Sequence, residues 1–476
     1  MSSAIPPGRG QAVAPKIATP AGRGHSVIPP GRGQAVAPAT LAPFYHYHRL
    51  ANGAQLLGYA MPSLRSVTFG CQFDAAVIHE PEGKQGLAHV FEYLLFQGTK
   101  KRDARMLSNA FETLGARRGI DTGFEMTSVW AQVVHTELET SLRLFNELLL
   151  EPAFPADKLA HIQKKVLQEI HRCNDEARRR VIDLTCAKFY RGTSLARSLL
   201  GTAESVASLK QEDFFGFWQS RYQPNNMLFA IAGKFQWEMV LEQMEALFGG
   251  WQGEAVALPE QQPTFASTLS LEHREGQQEH VCLMFPFPNY ADPDYYAALL
   301  INDILGGNMH SRLFVEVREK RSLVYSIAST MVSNRSTGAV RIYAGTTPEQ
   351  GRKCLGVILD ELCKLKQNGI THHELNHAKI HLKSQNILRG ESSRACMGTM
   401  AHAWWFNRTL PTWQEMKAAI DAVTEEQISR VLQRFSPVNP LTITVISPLE
   451  RDTWLKEAVG YPNISPFLAD SLDPVA

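Results

Sequence analysis

At 476 residues, 44% of them hydrophobic and 20% charged, the chain has material for two ordinary domain cores, which excludes a disordered or fibrous protein. A formal charge of +1 supplies no overall field for nucleic acid or an anionic membrane, so neither is expected as a partner. No run approaches the ~18 apolar residues of a spanning helix, and the amino terminus has no apolar secretory stretch, so a soluble protein is expected.

Residues 1–43 are unlike the rest. IPPGRGQAVAP occurs at 5–15 and again at 28–38, with PAGRGHSV between them. Proline and glycine at this density oppose helix and strand alike, which predicts a disordered leader. No Asp or Glu precedes Asp74, as in organelle transit peptides, yet the proline spacing does not permit the amphipathic helix such peptides form.

Folded sequence begins near Phe44. FYHYHRLANGAQLLGYAMP predicts two strands around the Asn52-Gly53 turn, and SVTFGCQFDAAV predicts a third, with alternating apolar residues as in a sheet covered on one face. In GLAHVFEYLLFQGT, His89, Glu92 and Tyr93 fall at i, i+3 and i+4, on one face of a helix whose other side carries Leu87, Val90, Phe91, Leu94 and Leu95. With histidine in place of Tyr93 the run would read H-x-x-E-H, the inverted zinc-peptidase motif, in which two imidazoles bind the metal and the glutamate handles the proton of the attacking water. MLSNAFETLGAR then predicts a helix, FEMTSVWAQVVH a strand, and ELETSLRLFNELLLEP a helix closed at Pro152. From Ala156, Leu159, Ile162 and Val166 step along an apolar stripe whose next place is Glu169. A carboxylate facing inward requires a cation or donors, and a metal or an arginine would serve.

GLAHVFEYLLFQGTKKR, Glu169 within KKVLQEI, SLLGTAESVASL and RYQPNNMLFAIAG resemble successive landmarks of the pitrilysin and mitochondrial-processing-peptidase family of inverted-motif zinc peptidases, over roughly residues 44 to 450. The resemblance implies an α+β fold of two homologous, processing-peptidase-like domains, each a mainly antiparallel sheet packed with helices around a shared chamber. It implies a first domain over 44–251, a linker over 252–264, a second domain over 265–450 and a tail over 451–476. It also implies zinc ligation by His89 and Glu169, with Tyr93 at the second-histidine position and Glu92 as general base. Phenol binds zinc only as phenolate, so zinc is expected to be weak or absent in the isolated chain. Gly119 and Ile120 replace the Asn-Ala usual in the family beside the substrate strand. Internally, Tyr222-Gln-Pro-Asn-Asn-Met-Leu has a counterpart in Phe435-Ser-Pro-Val-Asn-Pro-Leu, as a duplication requires.

In the second half, Asp292-Pro293 predicts a capped helix start, and NMHSRLFVEVREKRSLVYSIAS resembles the family again. By that resemblance Arg318 and Tyr325 form a pair that holds the substrate backbone and the developing oxyanion. Trp404, Trp405 and Phe406 read as core or as chamber lining. Three functions follow: a substrate-binding subunit working beside a homologous partner with an intact H-x-x-E-H, a zinc endopeptidase in its own right, or a non-catalytic peptide-binding scaffold. The substrate class is a peptide or unfolded protein. The seven cysteines, odd in number and without a C-x-x-C pair, read as reduced thiols, which suits the cytoplasm or an organelle such as the mitochondrial matrix.

Overall fold

The computed structural model describes residues 44–257 and 261–468. The repeat-bearing leader 1–43 lies outside the described residues, as do 258–260 of the expected linker and 469–476. In the described residues no helix is long and apolar enough to cross a membrane, and all seven cysteines are unpaired.

Strands β1 (Tyr45–Arg49) and β2 (Gln55–Ala60) pair antiparallel around the expected turn, where Gly53 takes φ +95°, open to glycine without steric cost. They join β3 (Ser66–Phe73), β4 (Arg117–Thr122), β5 (Thr127–Val134) and β6 (Met227–Gly233) in a sheet of order β1-β2-β6-β3-β5-β4. The second sheet, β7 (Thr268–His273), β8 (Glu279–Phe287), β9 (Val324–Ser333), β10 (Gly338–Thr346) and β11 (Thr442–Ser447), has order β7-β11-β8-β10-β9. Apart from β1 the two orders correspond strand for strand. Each sheet is antiparallel except where its last strand lies parallel to an early one, β6 on β2 and β11 on β7. The two internally similar segments lead into these matching strands, β6 and β11.

Around the first sheet lie α1 (Leu87–Leu95), α2 (Ala104–Thr113), α3 (Leu138–Leu150) and α4 (Ala156–Asp175). The following helix, α5 (Ala177–Phe189), leaves its own half and lies across β8 and β11 of the second sheet. There Val181 and Phe189 are buried with Cys282, Met284, Tyr343 and Ile446. In return the helix Ser393–Asn407 covers β2, β3 and β6 of the first sheet, with Ser393 Oγ 2.8 Å from Thr68 Oγ1 and Trp404 Nε1 donating to Gln55 Oε1 at 2.9 Å. Trp404 and Trp405 are therefore core. This exchange corrects the alternation expected for β3: every residue after Ser66 is buried, because a helix from the other half seals the face that would otherwise meet solvent.

Two boundaries also move. The helix expected at Asp292 spans Tyr295–Asn302 with Asp294 as its N-cap residue, while Asp292 accepts from the Asp294 amide at 2.9 Å in the preceding turn. Beyond 450 the chain is no tail up to 468: the helix Arg451–Ala458 buries Trp454 in the second core, and its indole donates to the buried Glu279 at 3.2 Å. A buried carboxylate needs such donors, and Ser447 Oγ supplies another at 2.6 Å.

Candidate active site

Helix α1 presents the site because its two faces differ. Leu87, Val90, Phe91, Leu94 and Leu95 are buried in the first core, while His89, Glu92 and Tyr93 point toward α4. Its start is fixed by close backbone approach. Gly86 has φ +89°, and a Cβ there would lie 2.5 Å from Leu200 O, while one at Gly201 would lie 2.3 Å from Gln85 O. The Leu200–Gly201 segment thus closes on the helix N-terminus, and this contact explains the glycine in SLLGTAES.

On α4, Leu159, Ile162 and Val166 are buried as the stripe predicts, with Ile170 buried beside them, and Glu169 is brought to α1. Its Oε2 lies 2.9 Å from His89 Nε2, and its Oε1 accepts the Tyr93 hydroxyl at 2.7 Å. The donors that an inward carboxylate requires are here an imidazole and a phenol. Glu92 lies farther off, with Oε2 3.7 Å from His89 Nδ1, and that buried nitrogen has no hydrogen-bond partner among the described residues. Burial alone would lower the pKa of His89, but the Glu92 and Glu169 carboxylates outweigh it and raise it. Glu169 moves the opposite way: burial opposes ionisation, yet His89 and Tyr93 hold its pKa down. Burial and then the Glu169 hydrogen bond push Tyr93 well above its ordinary 10. Lys165 Nζ stands 3.9 Å from the centre of the Tyr93 ring.

His89, Glu92 and Glu169 face a cleft of about 360 Å³ lined also by Arg172, Arg179, Leu200 and residues 120–122 of β4, the strand at the edge of its sheet. The glycine at 119 has a local cause. It pairs with Trp130 across the β4–β5 ladder, and a Cβ would lie 2.8 Å from the indole. The indole in turn carries the Arg394 guanidinium, 3.4 Å from a ring centroid, and Arg394 reaches Asp121 of the cleft at 3.0 Å. The Arg394 contact is invisible in sequence, since its partners are far apart in the chain and belong to no local pattern.

Zinc at this position would require a third ligand beside His89 and Glu169. His89 and Glu169 are suitable ligands, but the Tyr93 hydroxyl donates its proton to Glu169 at 2.7 Å where a ligand must offer a lone pair. Among the described residues no group of three or more His, Cys, Asp and Glu is disposed to hold a metal ion. The site as it stands does not fit zinc. Arg318 and Tyr325 lie on the second lobe, both exposed, Tyr325 by 72%. Arg318 packs against the Phe314 ring, and neither residue lines the His89 cleft.

Residues 60–203 match the family model of insulinase, peptidase family M16, and residues 208–382 match that of the peptidase M16 inactive domain. The uncharacterized zinc protease YmxG of Bacillus subtilis is 27% identical over 397 residues, covering 83% of this chain and 97% of that protein. An uncharacterized zinc protease of Streptomyces coelicolor is 29% identical over 411 residues, 84% of this chain and 89% of that protein. In fold, a protease from Helicobacter pylori superposes with a TM-score of 0.80 at 21% identity, over 86% of this chain and 100% of its own. The peptidase M16 inactive domain from Pseudomonas fluorescens does so at 0.79 and 24%, over 85% and 98%.

Proposed function

This chain belongs to peptidase family M16, and from that premise we propose that it is the substrate-binding subunit of a heteromeric peptidase. It would work in peptide or protein processing beside a homologous partner that carries an intact H-x-x-E-H. The observation that carries the reading is the Tyr93 hydroxyl donating to Glu169 at 2.7 Å, which engages the position of the third ligand with a protonated phenol. The chain's own contribution is binding. β4 is the edge strand of its sheet and its residues 120–122 line the cleft, and an extended peptide adds to such an edge through main-chain hydrogen bonds. Arg318 and Tyr325 are exposed donors of the kind that hold a carbonyl as charge grows on it.

A second reading, a peptidase active by itself, is favoured by His89, Glu92 and Glu169 together and by the zinc-protease names of the relatives. The two are separated by assaying unstructured peptides with the chain alone and with the complex isolated from its source. Cleavage is expected from the complex only, and Arg318→Ala should reduce it without altering the melting profile. Chelator-sensitive cleavage by the chain alone, abolished by Glu92→Gln, would overturn the subunit assignment.

A further inference from the structure

Two arginines of the His89 cleft have no part in the function proposed above. Arg172 lies in the last turn of α4 and Arg179 in the first turn of α5, and both line the cleft together with residues 120–122 of β4. Both are exposed. Arg172 makes no ion pair among the described residues, and Arg179 has only a loose one, its Nε 3.7 Å from Asp183 Oδ2. Lys165 adds a third charge two turns before Arg172 on the same face of α4, with its ammonium 3.9 Å from the centre of the Tyr93 ring.

The carboxylates of the same lining are already answered. Glu169 is held by His89 and Tyr93, Asp121 by Arg394 at 3.0 Å, and Glu92 faces His89 Nδ1 at 3.7 Å. Negative charge in the cleft is therefore met within the chain, whereas the positive charge on its α4–α5 side is left largely unmet.

Resting on the reading that this chain binds substrate, we propose that Arg172 and Arg179 are specificity-determining residues that select peptides carrying an acidic side chain, aspartate or glutamate. A peptide added to the edge of β4 sends alternate side chains to the two faces of the sheet. Those directed toward α1 and α4 enter this cleft, and on its α4–α5 side they meet the two guanidiniums. A guanidinium is a planar fork of donors that takes a carboxylate through paired hydrogen bonds, a geometry that amide and ammonium side chains do not reproduce. An acidic side chain thus supplies the counter-charge that the chain itself does not, while a basic one is placed beside like charge. The preference has to come from the cleft, because a formal charge of +1 over the whole chain gives no long-range attraction for acidic ligands.

The test is binding of short extended peptides by the full-length chain, read by fluorescence anisotropy. The peptides are blocked at both ends and identical except for one central residue, glutamate, glutamine or lysine. The glutamate peptide should bind about fivefold more tightly than the glutamine peptide, the upper end of what an exposed ion pair contributes, and the lysine peptide more weakly than either. In about 1 M salt, where the screening length falls to about 3 Å, the three should approach parity. Arg172→Glu/Arg179→Glu should reverse the order, whereas Arg143→Gln, which removes an exposed arginine of α3 outside the cleft, should leave the order in place. All three arginines are exposed, so retention of fold is readily checked by the melting profile. Equal binding of the three peptides, an order unchanged by the double reversal, or a gain that appears only when the peptide's own C-terminal carboxylate is left free would overturn the preference and leave peptide binding by this chain standing. Absence of binding by every peptide would overturn the binding role together with the preference.

Discussion

Tyr93→His is the sharpest perturbation of the α1 site. The natural phenol makes a hydrogen bond to the ionised Glu169, worth about 1.5–3 kcal/mol, and its ring lies under the Lys165 ammonium, worth about 0.5–1 kcal/mol. An imidazole at 93 keeps part of the first and little of the second, so the metal-free variant should be less stable by about 2 kcal/mol. It would, however, supply a lone pair to a point already approached by His89 Nε2 and Glu169. Zinc at a hundredfold excess over its Kd would then return about 2.7 kcal/mol by mass action. Metal should thus offset the loss. The assay is metal content after gel filtration, with melting temperature measured with and without zinc, for the natural chain, Tyr93→His and Tyr93→His/Glu169→Gln. The relevant quantity is the difference from the natural chain: one further zinc in Tyr93→His, lost again in the double variant. A folded Tyr93→His protein with no additional zinc and no additional thermal gain would refute the geometry argued for His89 and Glu169.

Glu80 accepts the Ala88 amide at 2.9 Å at the start of α1, and burial, partly opposed by backbone donors and Arg197, raises its pKa from 4.5 to about 7. The folded state then binds the proton more tightly than the unfolded state, so this stabilisation is complete below the unfolded value and lost as pH rises through the folded one. At about 1.4 kcal/mol per pKa unit it amounts to about 3 kcal/mol. Glu80→Gln, neutral at every pH, should therefore flatten the stability profile between pH 4.5 and about 7; an unaltered slope in denaturant titrations would contradict the assignment. Gly119→Ala places a methyl 2.8 Å from the Trp130 indole, and should cost about 1–3 kcal/mol as overpacking does. It should also weaken the hold on Arg394, read as faster amide exchange in β4, and equal exchange in both proteins would show that the indole yields freely.

How much of this was legible in the sequence depended on the range of the interaction. The helical period alone places His89, Glu92 and Tyr93 side by side, and the stripe through Val166 aims Glu169 inward. What meets Glu169 was not legible, because two helices separated by 60 residues and more of chain carry no record of their distance, and Tyr93, read as a missing ligand, is the carboxylate's donor. Periodicity shows which face of β3 is apolar but not what covers the other, so the helix from residues 393–407 appeared only in three dimensions. The same holds for Trp454, whose indole serves a carboxylate 175 residues away. The capped start at Asp292 missed by two residues because Asp292 and Asp294 are both acceptable caps by type, and packing rather than propensity chose between them.

The electrostatics of the cleft favour the subunit reading in a way that the missing ligand alone does not. A half-buried carboxylate must be neutralised or supplied with donors, and in a zinc peptidase the metal does this for the ligand glutamate. Here Glu169 is supplied by His89 and Tyr93, and Asp121 by Arg394. On the subunit reading, tyrosine at 93 would be a replacement as well as a loss, since it provides Glu169 with a hydrogen bond that a metal would otherwise make unnecessary. A histidine merely deleted to alanine would leave Glu169 short of a donor and the fold dependent on an ion it could hold only weakly. Because α4 continues directly into α5, which is docked on the second sheet, the contact at Glu169 ties α1 to the helix pair that joins the two halves.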